Sequence, residues 1–297
     1  MAIAPIEPAV KEAGIFMEEA LGEFLPEPLG PQSRLIEAMR YATLDGGKRV
    51  RSFLVLQSGR LFGVDRRALA RVARAVECVH AYSLTHDDLP AMDNDDVRRG
   101  KPTTHKKFDE ATAILAGDAL LTHAFALLAS ADTHADPHVR CDLVARLAQA
   151  AGCHGMVGGQ MIDMSAQGDM TDIGQVTRLQ RLKTGALIAF ACEAGAIMGK
   201  ASTQMRHALT NYAQDLGLAY QIADDLLDAE GDPAVMGKAA GKDQKAGKAT
   251  FVTILGNERA RAQAQLLASQ ANAHLEVFDE KADLLRGMAA YVVNRRA

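Results

Sequence analysis

The segment RVARAVECVHAYSL, residues 71–84, spaces Val72, Val76, Val79 and Ser83 four, three and four positions apart. That is one stripe of a helix at 3.6 residues per turn. The same spacing recurs upstream in RLIEAMRYATLDGG, where Leu35, Ile36 and Met39 share a face. Ser33 is the expected N-cap there, and Gly46-Gly47 the expected stop. Strand-like alternation is scarce. Proline is absent from residues 32–89 and 138–232, so nothing in those stretches breaks a long helix. ALIAFACEAGAIMG, from Ala186, is the longest apolar run; Glu193 interrupts it. It is too short to span a bilayer and is expected as a buried helix, with no transmembrane segment in the chain. No repeat, low-complexity tract or linker divides the 297 residues. The expected fold is all-α, a single-domain bundle of ten or more helices over residues 1–297. Residues 231–250, GDPAVMGKAAGKDQKAGKAT, are expected to form a long mobile loop, of a length usually functional or disordered.

Composition narrows the function. With a formal net charge of −4, nothing suggests a surface built for nucleic acid. Cys78, Cys141, Cys153 and Cys192 stand singly, with no CxxC pair, and are expected as reduced, mostly buried thiols of a cytoplasmic protein. The N-terminus lacks the basic-then-apolar pattern of a signal peptide.

Two acidic clusters carry the chemistry. HDDLPAMDNDDVRRG, residues 86–100, follows the 71–84 helix; His80, Ser83 and Asp87 share its face, and Pro90 breaks it so that Asp93 turns back toward Asp87. In QIADDLLDAEGD, from Gln221, Asp224 and Asp228 are four apart on one helical face, with Gln221 a turn above. Both clusters lie in apolar surroundings, where carboxylates need a cation. Oxygen-only donors without nearby Cys or His select a hard ion, Mg²⁺ rather than Zn²⁺. An EF-hand fails in DNDDVRRG because arginine stands at the glycine position, and a Walker A loop fails in GKDQKAGKAT because Ala249 replaces the Ser or Thr.

Mg²⁺ commonly completes its shell with phosphate oxygens, and cations for phosphate are at hand. Lys48 and Arg51 of GGKRVR are three apart, Arg98-Arg99 follow the first cluster, RLKTG supplies Lys183 and Thr184, and the 231–250 segment supplies Lys238 and Lys248. The pattern asks for two diphosphates, one bridged to aspartates by metal and one held by Lys and Arg alone.

The motifs GGKRVR, HAYSLTHDDLPAMDNDDVRRGKPT, GDALL, GGQMID, LKTGALI, YQIADDLLD and GKATF occur in the order and spacing of the trans-isoprenyl diphosphate synthases. The chain resembles that family, most closely its bacterial farnesyl diphosphate synthases; the first 25 residues and those after about 256 match loosely. The resemblance implies a helical bundle around a central cavity, a homodimer, three Mg²⁺ ions, and the substrates isopentenyl diphosphate and an allylic diphosphate. It puts Asp87, Asp88 and Asp93 in the first aspartate motif, with Asp87, Asp93 and Asp224 as metal ligands. Arg98, Lys183 and Lys238 then grip the allylic diphosphate, and Lys48, Arg51, His80 and Arg99 hold isopentenyl diphosphate. Thr184 and Gln221 face the carbocation, Lys248 closes over the site, and Gln160 and Asp163 line the cavity. Tyr82, five residues before Asp87 beside Ser83 at four, matches the aromatic position that sets chain length, with farnesyl diphosphate as product. A geranylgeranyl or geranyl diphosphate synthase has the same chemistry and another stopping point. A terpene cyclase normally lacks the second set of cations. A regulatory subunit of a heteromeric synthase usually loses an aspartate motif, and both are intact here.

Overall fold

Val72, Val76 and Val79 are fully buried along α4 (Arg66–Asp87). The Asp65 side chain caps the helix start, accepting from the backbone N–H groups of Arg67 and Ala68. This is a computed structural model describing residues 6–44, 46–165, 172–230 and 249–294. Before α4 come α1 (Ile6–Phe24), α2 (Ser33–Thr43) and α3 (Val50–Arg60). After it follow a short hairpin, α5 (Thr104–Lys107), α6 (Glu110–Ala129), α7 (Pro137–Ala151), α8 (Met156–Ser165) and α9 (Ile173–Gln180). A π-helical turn (Arg181–Gly185) joins α9 to α10 (Ala186–Met198). Then come α11 (Thr203–Glu230), α12 (Phe251–Leu255), α13 (Asn257–His274), a 3₁₀ turn and α14 (Asp283–Asn294).

The all-α expectation holds. α4 packs against α3 and α6, and α10 fills the middle between α3 and α11. Nearly every residue of α10 is buried. Its Glu193 is tolerated because Arg146 of α7 and Arg206 of α11 both donate to its carboxylate, at 2.7 and 2.9 Å. A buried carboxylate thus ties three helices together.

Four details differ from expectation. Ser33 is the first residue of α2 rather than its cap. The preceding residue is Gln32, and the Ser33 N–H donates to the Gly30 carbonyl in a turn at left-handed Gly30. Cys78 and Cys192 are buried, with burial pushing the Cys78 thiol up to about 12, but Cys141 and Cys153 are exposed. α6, rather than the Ala186 run, is long and apolar enough by composition to cross a membrane. It packs on α4 and α2, burying Ala113, Ala116, Leu120, Ala124 and Leu127 and leaving Ile114 and Leu115 exposed. Finally, residues 97–102 form two short antiparallel strands, β1 (Val97–Arg98) and β2 (Lys101–Pro102). Their connection, Arg99-Gly100, has φ of 53° and 74°, the two positive angles that a tight hairpin turn of the primed kind requires.

Candidate functional site

The chain leaves α4 at Asp87 and doubles back: the Asp93 N–H donates to the Asp87 carbonyl at 2.8 Å, as Pro90 leads one to expect. The Asp87 carboxyl is pushed up to about 6, chiefly by burial. Lys183 offsets this in part, and Asp93 adds to it. A buried carboxylate that a neighbouring carboxylate pushes further up marks a cradle short of positive charge. Asp88 differs. It is 3% exposed, and Arg98 grips it bidentately, with Nε 2.8 and 2.9 Å from its two oxygens. Asp88 therefore anchors Arg98 and the hairpin instead of facing outward.

The primed turn decides where the adjacent arginines go. Arg98 lies in β1 and points to Asp88; Arg99, at the turn tip, packs on Gly46-Gly47. A Cβ at Gly47, itself at a φ of 85°, would sit 2.8 Å from the Arg99 guanidinium and would have to displace it. Gly46, Gly47, Lys48, Arg51, Glu77, His80, Arg99, Tyr220 and Asp224 line one pocket of about 230 Å³. The GGKRVR turn, the face of α4, the hairpin and the second aspartate motif, far apart in sequence, meet there. An Arg51 terminal nitrogen lies 3.4 Å from His80 Nε2. Burial and the guanidiniums of Arg51, Arg99, Arg49 and Arg98 hold His80 well below the usual imidazole value, so it is neutral. Arg51 Nε is buried without a hydrogen-bond partner. A concave site with converging positive charge and an orphaned donor suits an anion.

Arg49, between the two sequence-predicted cations, has a different task. It is 6% exposed, at a left-handed φ of 50°. Its guanidinium donates to Glu77 at 2.9 Å, Glu18 at 2.8 Å and the Thr43 carbonyl at 2.6 Å. Glu77 also accepts from the Ser52 hydroxyl at 2.7 Å and the Ser52 N–H at 3.3 Å. This buried set clamps the turn that presents Lys48 and Arg51. Sequence reasoning missed it; the sole signal is Glu77 inside an apolar helical stripe.

A third group surrounds the π-helical turn, a geometry that widens a helix locally and often marks functional sites. Lys183 pairs with Asp163 of α8 at 2.5 Å. The Thr184 hydroxyl donates to Gln221 Oε1 at 3.2 Å, and Gln221 Nε2 donates to Asp225 at 2.9 Å. Asp225 in turn accepts from the Phe251 N–H at 3.1 Å, fixing the start of α12. The sequence reading passed over Asp225, which is buried and orients Gln221. Both amide atoms of Gln160 are buried without partners. Tyr82 is 7% exposed, and the Ser83 hydroxyl donates to the His80 carbonyl. Lys238 and Lys248 lie outside the described residues. Among the described residues, no three His, Cys, Asp or Glu side chains are grouped so that they could hold a metal by themselves.

A family model described as polyprenyl synthetase matches residues 32–286. The chain is 44% identical over 295 residues to a farnesyl diphosphate synthase of Escherichia coli K12, covering 98% of this chain and 97% of that one. It is 43% identical over 280 residues to a farnesyl diphosphate synthase of Geobacillus stearothermophilus, covering 94% of each. The apo crystal structure of an FPP/GFPP synthase from Zymomonas mobilis superposes with a TM-score of 0.89 at 52% identity, covering 97% of this chain and 98% of that one.

Proposed function

We infer the activity from a shown kinship: the chain belongs to the polyprenyl synthetase family. It is a prenyltransferase that condenses isopentenyl diphosphate with dimethylallyl or geranyl diphosphate to give farnesyl diphosphate. The observation that carries the site assignment is the pocket in which Lys48, Arg51, His80 and Arg99 converge beside Asp224. It supplies cations for a diphosphate that needs no metal, next to carboxylates that do.

The enzyme uses a divalent metal, Mg²⁺ in this reading, with three ions. Asp87 and Asp93 hold two and Asp224 the third. The raised Asp87 carboxyl fits this, because a cation there removes the repulsion from Asp93. Mg²⁺ is usually held by one or two carboxylates plus substrate phosphates, so a cluster of three protein ligands, which the described residues do not form, is not required. When bound, the metal supplies positive charge against a departing diphosphate.

The chain's own residues do the rest. Lys183, Arg98 and Lys238 orient the allylic diphosphate, and Lys248 covers it. Lys48, Arg51, Arg99 and neutral His80 hold isopentenyl diphosphate with its double bond toward the allylic carbon. As the C–O bond breaks, Thr184 and the Gln221 carbonyl oxygen face the allylic cation, with Asp225 fixing the amide so that the oxygen points inward. The double bond then attacks, and the departed diphosphate takes the proton lost. Helices α4, α10 and α11 keep water away from the cation.

The whole chain acts as one domain, in the cytoplasm, as a homodimer. The exposed apolar side chains Ile114 and Leu115 of α6 would be covered in such a dimer if α6 lies at its interface. Incubation with Mg²⁺, isopentenyl diphosphate and each allylic starter, followed by chromatography of the dephosphorylated products, tests the assignment. Fifteen carbons is the expected main product from either starter. A ten- or twenty-carbon product points to a geranyl or geranylgeranyl synthase, and diphosphate binding without turnover to a regulatory subunit.

The Arg49–Glu77 clamp gives a second test. Glu77→Gln loosens the turn carrying Lys48 and Arg51 without touching the aspartates. KM for isopentenyl diphosphate should rise about tenfold while KM for geranyl diphosphate stays within about twofold. Steady-state kinetics with each substrate varied would show it. Equal changes in both constants contradict the clamp's role.

A further inference from the structure

We infer that His86 is a positioning residue for product length: it braces the Tyr82 ring across the path of the growing chain. The inference rests on reading Tyr82 as the floor of that path. His86 stands four residues after Tyr82, on the same face of α4, directly before Asp87. The two rings meet edge to face, with centroids 5.5 Å apart and planes at 87°. Such a contact favours one ring orientation over its neighbours.

His86 is itself held from two further directions. Its Nε2 lies 3.0 Å from the Ile114 carbonyl of α6. A carbonyl can only accept, so Nε2 carries the proton and donates. One turn further along α6, Gly117 leaves the slot into which the imidazole fits: a Cβ there would lie 2.1 Å from Nε2 and 2.5 Å from Cδ2. The ring therefore has a donor contact that sets its rotation and a glycine that sets its depth. Tyr82 packs on the edge that remains. The Tyr82 side chain has other staggered rotamers, and a floor that swings aside is no floor. The brace makes its orientation a property of the α4–α6 pair.

Four variants separate this from packing alone, each assayed with Mg²⁺, isopentenyl diphosphate and geranyl diphosphate, with products resolved by chain length. His86→Ala removes ring and donor, and should raise the ratio of twenty- to fifteen-carbon product about tenfold. His86→Gln keeps an amide N–H that reaches for the Ile114 carbonyl but has no ring, and should fall between His86→Ala and wild type. Gly117→Ala ejects the imidazole from its slot without altering His86 or Tyr82, and should shift the ratio in the same direction; it carries the test if His86→Ala fails to fold. Tyr82→Ala is the reference. If it lengthens the product while His86→Ala and Gly117→Ala lower turnover at an unchanged ratio, the brace is overturned and the floor stands. If Tyr82→Ala itself leaves fifteen carbons, the floor reading fails, and the brace with it.

Discussion

Asp87→Asn and Asp224→Asn should each cost roughly 10²-fold or more in turnover, the size expected for losing one preorganised electrostatic contact with charge that develops in the transition state. The geometry predicts a difference from Asp88. Asp87 is raised by burial and by Asp93, with Lys183 offsetting only part of that, so a cation beside it would be strongly favoured. Asp88 is spent on Arg98 through short bidentate contacts. Asp88→Asn should therefore act by releasing Arg98, raising KM for the allylic diphosphate more than it lowers turnover. Steady-state assays of the three variants at saturating Mg²⁺ decide the matter. Turnover of Asp224→Asn within a few-fold of wild type removes that residue from the metal set. A chelator should abolish activity, and added Mg²⁺ should restore it.

Much of the bundle was legible because apolar spacing and the absence of proline act locally. Val72, Val76 and Val79 mark the buried face of α4 without reference to any other helix. The two aspartate motifs were legible for the opposite reason: carboxylates in apolar segments contradict local preference, so they point to a site. What stayed hidden depends on partners distant in sequence. The opposite directions taken by Arg98 and Arg99 follow from a hairpin whose turn puts an arginine at positive φ, which no apolar pattern announces. Arg49 looks like its neighbours Lys48 and Arg51 until Glu77 and Glu18 arrive from α4 and α1. Asp225 differs from Asp224 by 100° of helical rotation, about the angle between facing the cleft and facing the first turn of α12. The π-helical turn at Lys183-Thr184 has the same composition as an ordinary helical turn.

Tyr82→Ala should move the main product from fifteen carbons to twenty or more. In the proposed site the growing chain runs from the aspartates down the face of α4. Ser83, four residues before Asp87, lies about 40° from it around the helix, and Tyr82, five before, about 140°. Serine at the first position leaves the path open, and its hydroxyl is turned back onto the His80 carbonyl. The larger side chain at the second is 7% exposed, and burial raises its phenol above the usual value, with Asp87 adding to the shift. The ring is therefore in a dry place within electrostatic reach of Asp87, as the proposed floor must be. Truncation to alanine removes six ring carbons and an oxygen, room for one more five-carbon unit. The cost is stability, about 3 kcal/mol for emptying a buried aromatic site, so thermal melts should accompany the assay. Total turnover should fall only modestly, because no group near the reacting carbon changes. If a folded, active Tyr82→Ala enzyme still stops at fifteen carbons, the chain is halted elsewhere, and the α4–α6 seam is core packing alone.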